Sequence, residues 1–233
     1  MAGSPEETRE RILAHATERF MTGGFSRVTM DDISRELGLS KKTLYRHFPG
    51  KQDLLMEVIR AELAKLKIRL DEAFDGPRLP FTARFDRLLH AVGAQLAMVR
   101  YPLVDDLYRH APRVWREIEE FRKSYVVNRM EKLLLQGVRE GYVRGDLNPH
   151  LVVFIINQVA QAALYPGHMD ELGASPAEVF AAVMSLVYHG IFTDRGRREM
   201  EELPADKGKQ GKGLQPDQQQ ETTNRGGRVT GDE

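Results

Sequence analysis

Apolar residues recur at helical spacing from the first turns of the chain. Ile12, Leu13, Ala16 and Phe20 fall on one stripe of a helix predicted from about Pro5 to Met21, which Gly23-Gly24 ends. Its start is written in Ser4-Pro5-Glu6-Glu7, with serine as N-cap, proline at the first helical position and acids in the first turn. A second start follows at Thr29-x-x-Asp32, opening a helix that buries Ile33 and Leu37 and stops at Gly38. Leu39 anchors the turn, Ser40 caps the next helix, and Lys41 to Phe48 puts Leu44 and Phe48 on one face. After Pro49-Gly50 a long helix carries Leu54, Leu55, Val58, Ile59, Leu63, Leu66 and Leu70, ending near Asp75-Gly76-Pro77. From Phe81 the spacing stays helical, no hairpin signal occurs, and Pro102, Pro112, Pro149, Pro166 and Pro176 divide the region into roughly five helices. The fold class predicted is all-α, with an N-terminal three-helix bundle over residues 1–50 and a larger helical domain over 51–202, of which 51–75 is the connecting helix. The stretch 203–233, rich in Gly, Gln, Lys and Asp, lacks the apolar groups that offset ordering entropy and is predicted to be disordered.

Two late segments, LVVFIINQVAQAALY and VFAAVMSLVYHGIF, are apolar nearly all round, and both begin with a capping residue followed by proline. A subunit interface through helices 149–165 and 176–192 buries both; a central helix within one protomer is the competing reading. At 233 residues and 41% hydrophobic, the chain can form a real core, and its formal net charge of zero argues against a protein coated in basic charge. Any nucleic-acid contact must then come from a local patch, and one exists. Between Leu39 and Lys51 stand Lys41, Lys42, Arg46 and Lys51, with Thr43, Tyr45 and His47 interleaved and no Asp or Glu. The absence of cysteine excludes disulfides, thiolate metal sites and cysteine nucleophiles. No basic-then-apolar leader and no membrane-length apolar run occurs, so a cytoplasmic chain without membrane partners is expected. HExxH, P-loop, GxGxxG and GxSxG patterns are absent as well, and the chain is read as not an enzyme, with no catalytic residue, metal or cofactor.

The words in helix one (Thr8 to Leu13, Ala16, Phe20), then Gly24-Phe25, Thr29 to Ile33, Leu37-Gly38-Leu39-Ser40, Thr43-Leu44-Tyr45, His47-Phe48 and Lys51 to Leu55 together resemble the TetR/AcrR family of bacterial transcriptional regulators. The resemblance covers residues 1 to 55 closely and the rest in length and helicity alone. It implies a DNA-binding regulator, a repressor in most members, that holds a partly palindromic operator in double-stranded DNA as a homodimer and releases it when a small molecule enters the second domain. A recognition helix places its first residues deepest in the major groove, so Lys41, Lys42 and Thr43 are the expected base-edge readers. Tyr45 and His47 suit backbone phosphates, positions where the family usually makes such contacts. Arg46, Lys51 and the hydroxyl of Thr29 complete the predicted DNA-binding set. Competing readings are Tyr45 closing the small core, Arg46 facing solvent and His47 packed beside Phe48. An architectural DNA-binding protein with no ligand is the alternative function.

Candidate ligand-binding residues are Phe85, Leu89, Tyr108, Trp115, Phe121, Tyr125, Phe154 and Gln158, since aromatics and aliphatics at helical spacing can line a cavity as well as fill a core. Tyr108 and Trp115 flank the Ala111-Pro112 break and lead this set. A domain of this composition suits an apolar or amphipathic molecule better than a multiply charged one. Transfer of the signal is expected along the fourth helix.

Overall fold

In the computed structural model, residues 4–75, 79–163, 165, 168 and 171–203 are described. The predicted caps form. Ser4 accepts from the amide of Glu7 while the Glu7 carboxylate takes the Ser4 N–H, opening α1 (Pro5–Gly23). Thr29 and Asp32 make the same reciprocal pair at the start of α2 (Met30–Glu36), and Ser40 accepts from the Thr43 amide to open α3 (Lys41–His47). Between α2 and α3, Gly38 sits at φ +65, a conformation costly for a residue with a Cβ, and Leu39 N–H donates to the Ser34 carbonyl at 2.8 Å. This closes the helix-turn-helix.

The long α4 (Lys51–Asp75) leads into α5 (Phe81–Ala97), α6 (Tyr101–His110) and α7 (Pro112–Phe121). A π-helical turn over Arg122–Val127 joins α7 without a break to α8 (Asn128–Arg139). Then come α9 (Pro149–Ala163), α10 (Pro176–Ile191) and α11 (Asp194–Glu201). The architecture is all-α, as the spacing predicted; an isolated antiparallel bridge, Val143 with Phe192, is the β pairing found among the described residues. The short α11, begun by Thr193 capping the Gly196 amide, lies in a stretch too polar for apolar periodicity to mark. The boundary expected at Gly76-Pro77, that at Pro166, and the tail from 204 fall outside the described residues.

Two hydrophobic clusters hold these helices. The first contains Ile12, Ala16 and Phe20 of α1, Ile33, Leu44 and Phe48 of the helix-turn-helix, and Leu54 to Ile59 of α4, and it continues into Leu103, Leu107, Ala111 and Val114. The N-terminal bundle therefore closes its core on α6 and the start of α7, contacts too distant in sequence for local spacing to reveal. The second cluster gathers Leu66 to Phe74 of α4, Phe81, Phe85 and Leu88 of α5, Leu133 and Leu134 of α8, and Phe192. Gly137 belongs to it by necessity: a Cβ there would stand 2.6 Å from Phe81 Cζ and 2.7 Å from Val143 Cγ2. Among the described residues no helix is long and apolar enough to cross a membrane.

Candidate nucleic-acid interface

The solvent face of α3 is the centre of the site. Leu44 and Phe48 are fully buried, which turns Lys42, Tyr45 and Arg46 outward, all three exposed. No hydrogen bond or ion pair ties Lys42 or Arg46 to another described residue, so both cations are free for an anionic partner. Tyr45 does not close the small core, the residue being 45% exposed.

Of the other predicted contacts, Lys41, Thr43, Thr29 and Lys51 are engaged within the chain. Lys41 Nζ pairs with Asp31 Oδ2 at 2.6 Å, and this bond holds the ammonium pKa above its ordinary value. That ion pair ties the first turn of α2 to the first turn of α3, so Lys41 meets DNA only by exchanging its partner. Thr43 shares a 2.8 Å hydroxyl contact with Ser40 at the cap. The Thr29 hydroxyl donates to Asp32 Oδ2 at 2.6 Å while accepting the Asp32 amide, so its one proton is not free for a phosphate. His47 is half-buried, with Nε2 shielded and unpartnered, nearer to the packed reading than to a phosphate contact.

Lys51 departs furthest from expectation. Its ammonium lies 4.3 Å from the Phe25 ring centroid and donates to the Ser26 carbonyl at 3.2 Å. Burial lowers its pKa from the ordinary value, opposed by the charges of Asp106 and Asp32. Asp106, buried in α6 at 6% exposure, accepts the Ser26 amide at 2.8 Å. The loop that precedes α2 is thus clasped between Lys51 at the start of α4 and Asp106 of α6. Sequence reading missed Asp106, whose role depends on a partner 80 residues away. Arg27, exposed in the same loop, was also outside the predicted set.

The candidate ligand residues do not share one cavity. Phe85 is core, its ring 5.0 Å from that of Phe192, and Leu89 packs beside the same cluster. Tyr108 and Trp115 meet edge to face at 5.8 Å, with Tyr165 5.2 Å from Tyr108. Phe121 and Tyr125 stack at 5.2 Å, and the Tyr125 hydroxyl donates to Asp71. Phe121 also lines an open groove of about 460 Å³ between α4 and α7, with Arg60, Leu63, Lys67, Glu117 and Ser124. Phe154 and Gln158 lie on an exposed face of α9.

That face bears on the predicted interface helices. Leu151, Phe154, Ile155 and Val159 form an exposed stripe on α9, and Leu186 of α10 is 77% exposed within a stripe that includes Ala182, Ser185 and His189. The single chain leaves both stripes exposed.

Residues 12–58 match the family model of the bacterial regulatory proteins of the tetR family. The chain is 25% identical over 187 residues to the uncharacterized HTH-type transcriptional regulator YvaF of Bacillus subtilis, a match covering 79% of this chain and 96% of that one. It is 28% identical over 159 residues to the HTH-type transcriptional repressor KstR2 of Mycobacterium tuberculosis, covering 65% and 77%. The solved structure of that ketosteroid transcriptional regulator superposes with a TM-score of 0.53 at 23% identity over 83% of this chain and 98% of that one. A TetR-family regulator from Agrobacterium tumefaciens superposes with a TM-score of 0.64 at 16% identity, covering 82% and 100%. With its capped helix-turn-helix and outward-facing cations, the segment 12–58 carries the DNA-binding domain of the tetR family of bacterial regulatory proteins, and the chain as a whole is similar to helix-turn-helix transcriptional regulators of that family.

Proposed function

We propose that the protein is a ligand-responsive repressor that binds a partly palindromic operator as a homodimer, and that a small, largely apolar molecule releases it. The observation that carries the reading is the outward face of α3, where Lys42, Tyr45 and Arg46 stand exposed with no acid among them. Lys42, in the first turn, reads base edges; Arg46 and Tyr45, a turn later, hold phosphates. Lys41 and Thr43 join them when DNA displaces Asp31 and Ser40, while Lys51, Thr29 and His47 position the motif from within. Residues 1–50 form the DNA-binding part and 51–202 the effector and dimer part, acting in the cytoplasm without a catalytic step.

Dimerisation through α9 and α10 covers the two exposed stripes with their symmetry copies, as a two-fold interface requires. Repression is supported by the relative KstR2, which is a repressor, and an apolar effector by that protein's description as a ketosteroid regulator. The effector acts by favouring the dimer state that DNA does not. Two routes lead to the recognition helices: α4, which runs from Lys51 into the second cluster, and α6, which reaches the α2 loop through Asp106. Binding to DNA from its own promoter region, by mobility shift against excess competitor with graded salt, tests the reading. A competitor-resistant, salt-sensitive complex that an apolar effector dissolves is expected; binding indifferent to sequence at every salt concentration refutes it.

A further inference from the structure

On both helices that run between the two hydrophobic clusters, a charged side chain occupies the changeover. On α4, Ile59 and Leu63 belong to the first cluster and Leu66 and Leu70 to the second; between them Glu62 is 3% exposed and takes Lys65 at 2.7 Å. On α7 and the π turn, Val114 and Ile118 belong to the first cluster and Val126 to the second. Arg122, four residues from each of the latter two, continues that core-facing stripe. Unlike Glu62, it has a loose ion pair as its nearest opposite charge and no hydrogen bond at two of its nitrogens. Its side chain is 23% exposed, and Nε and Nη2 are both shielded from solvent with no hydrogen bond. Glu119, the acid within 4 Å among the described residues, stands 3.9 Å from Nη2, beyond hydrogen-bond length. Burial lowers the guanidinium pKa, opposed by the charge of Glu119.

A half-buried cation with two shielded, idle donors carries a cost that an apolar residue at this position would not. Nε and Nη2 form one edge of the guanidinium, the edge that accepts a carboxylate through two parallel bonds. Arg122 also opens the π turn, a register change that recurs at functional sites. We propose that Arg122 is the anchor for the carboxylate of a monoanionic, largely apolar effector, bound at the seam between the two clusters. The inference rests on the effector-responsive reading above and narrows its ligand class. An apolar body with one carboxylate suits this seam because hydrophobic side chains flank a cation whose own ion pair, with Glu119, is too long for a hydrogen bond and leaves Nε and Nη2 idle. Its place also gives it leverage: the first cluster contains the helix-turn-helix and the second does not, so a ligand wedged between them alters how one sits on the other.

The test uses decanoate and 4-phenylbutyrate, each against the alcohol of the same skeleton, titrated into the full-length protein and followed by fluorescence of Trp115, the chain's single tryptophan. The acids are expected to bind at least about tenfold more tightly than the alcohols, the gain of a charge-assisted pair. Arg122→Met is expected to erase that preference and to melt no lower than the wild type, since it removes a half-buried charge with two idle donors and only a loose ion pair. Arg122→Lys is expected to keep part of the preference. Equal binding of acid and alcohol, binding of neither, or an acid preference that survives in Arg122→Met overturns the proposal. Because the titration is read on free protein, failure of the wild type to form an operator complex in the same preparation counts separately, against the regulator reading.

Discussion

Removing the Asp106 carboxylate is expected to loosen the recognition motif from a site far from its DNA-facing side chains. Asp106 lies in α6, is 6% exposed, and accepts the Ser26 amide at 2.8 Å in the loop that feeds the Thr29 cap of α2. Asp106→Ala leaves that amide without its acceptor and takes away the charge that faces Lys51. A hydrogen bond to a charged group is worth about 1.5–3 kcal/mol. For a chain of this size each kcal/mol moves the melting temperature by about 2–4 °C, so a fall of roughly 3–12 °C is expected. Asp106→Asn keeps an oxygen for the amide and should fall less. Calorimetry at fixed protein concentration gives the stability, and anisotropy of a labelled operator gives the affinity, which should drop in the same order: wild type, Asn, Ala. An Ala variant that melts with the wild type and binds operator equally well would sink the claim that α6 clasps this loop.

Four further outcomes are expected. Asp31→Ala frees Lys41 from its ion pair, so nonspecific DNA affinity should rise and the salt dependence steepen by about one unit per site; an unchanged slope contradicts the competition between Asp31 and phosphate. The Thr29 hydroxyl and amide hold the Asp32 carboxyl below its ordinary pKa, so the cap's contribution is complete above the unfolded value, about 4, and is lost as pH falls through the depressed folded value. Unfolding curves from pH 6 to 2 should therefore converge for wild type and Asp32→Asn at the acid end. Gly137→Ala should destabilise by about 1–3 kcal/mol in chemical denaturation, because Phe81 is locked among Phe85, Tyr142 and Phe192 and cannot yield to the new methyl. Leu186→Glu should leave a folded protomer whose self-association, measured by sedimentation, is weakened; an unchanged dimer places the interface elsewhere.

What the chain made legible was local. Ser4, Thr29, Ser40 and Ser175 announce four helix starts, because a cap and its partner lie within three residues of each other. The burial of Leu44 and Phe48 follows from spacing alone and identifies the outward face of α3. Long-range pairing was out of reach. Nothing near Lys51 in sequence says that its stem turns back onto Phe25, and a run of cations without acids concealed that Asp31, ten residues earlier, claims Lys41. The candidate ligand residues scattered for a related reason. Aromatic spacing reports which side of a helix is apolar, yet Phe85 fills a core, Phe154 faces outward and Phe121 lines an open groove, and only the packing of α4, α5, α7 and α9 tells these apart. Arg122 gave no sequence signal because an arginine among charged neighbours reads as solvent-facing until its burial is known.

Central to the proposed function is the reading of one half of a two-fold operator by α3, through Lys42 and its neighbours. Hydroxyl-radical footprinting of the wild type and of Lys42→Ala on operator variants tests it most directly. Two protected patches centred about one helical turn, roughly 34–36 Å, apart on one face of the duplex are expected, with Lys42→Ala weakening binding unequally among the variants. A single or uniform protection, with the same loss on every sequence, would contradict it.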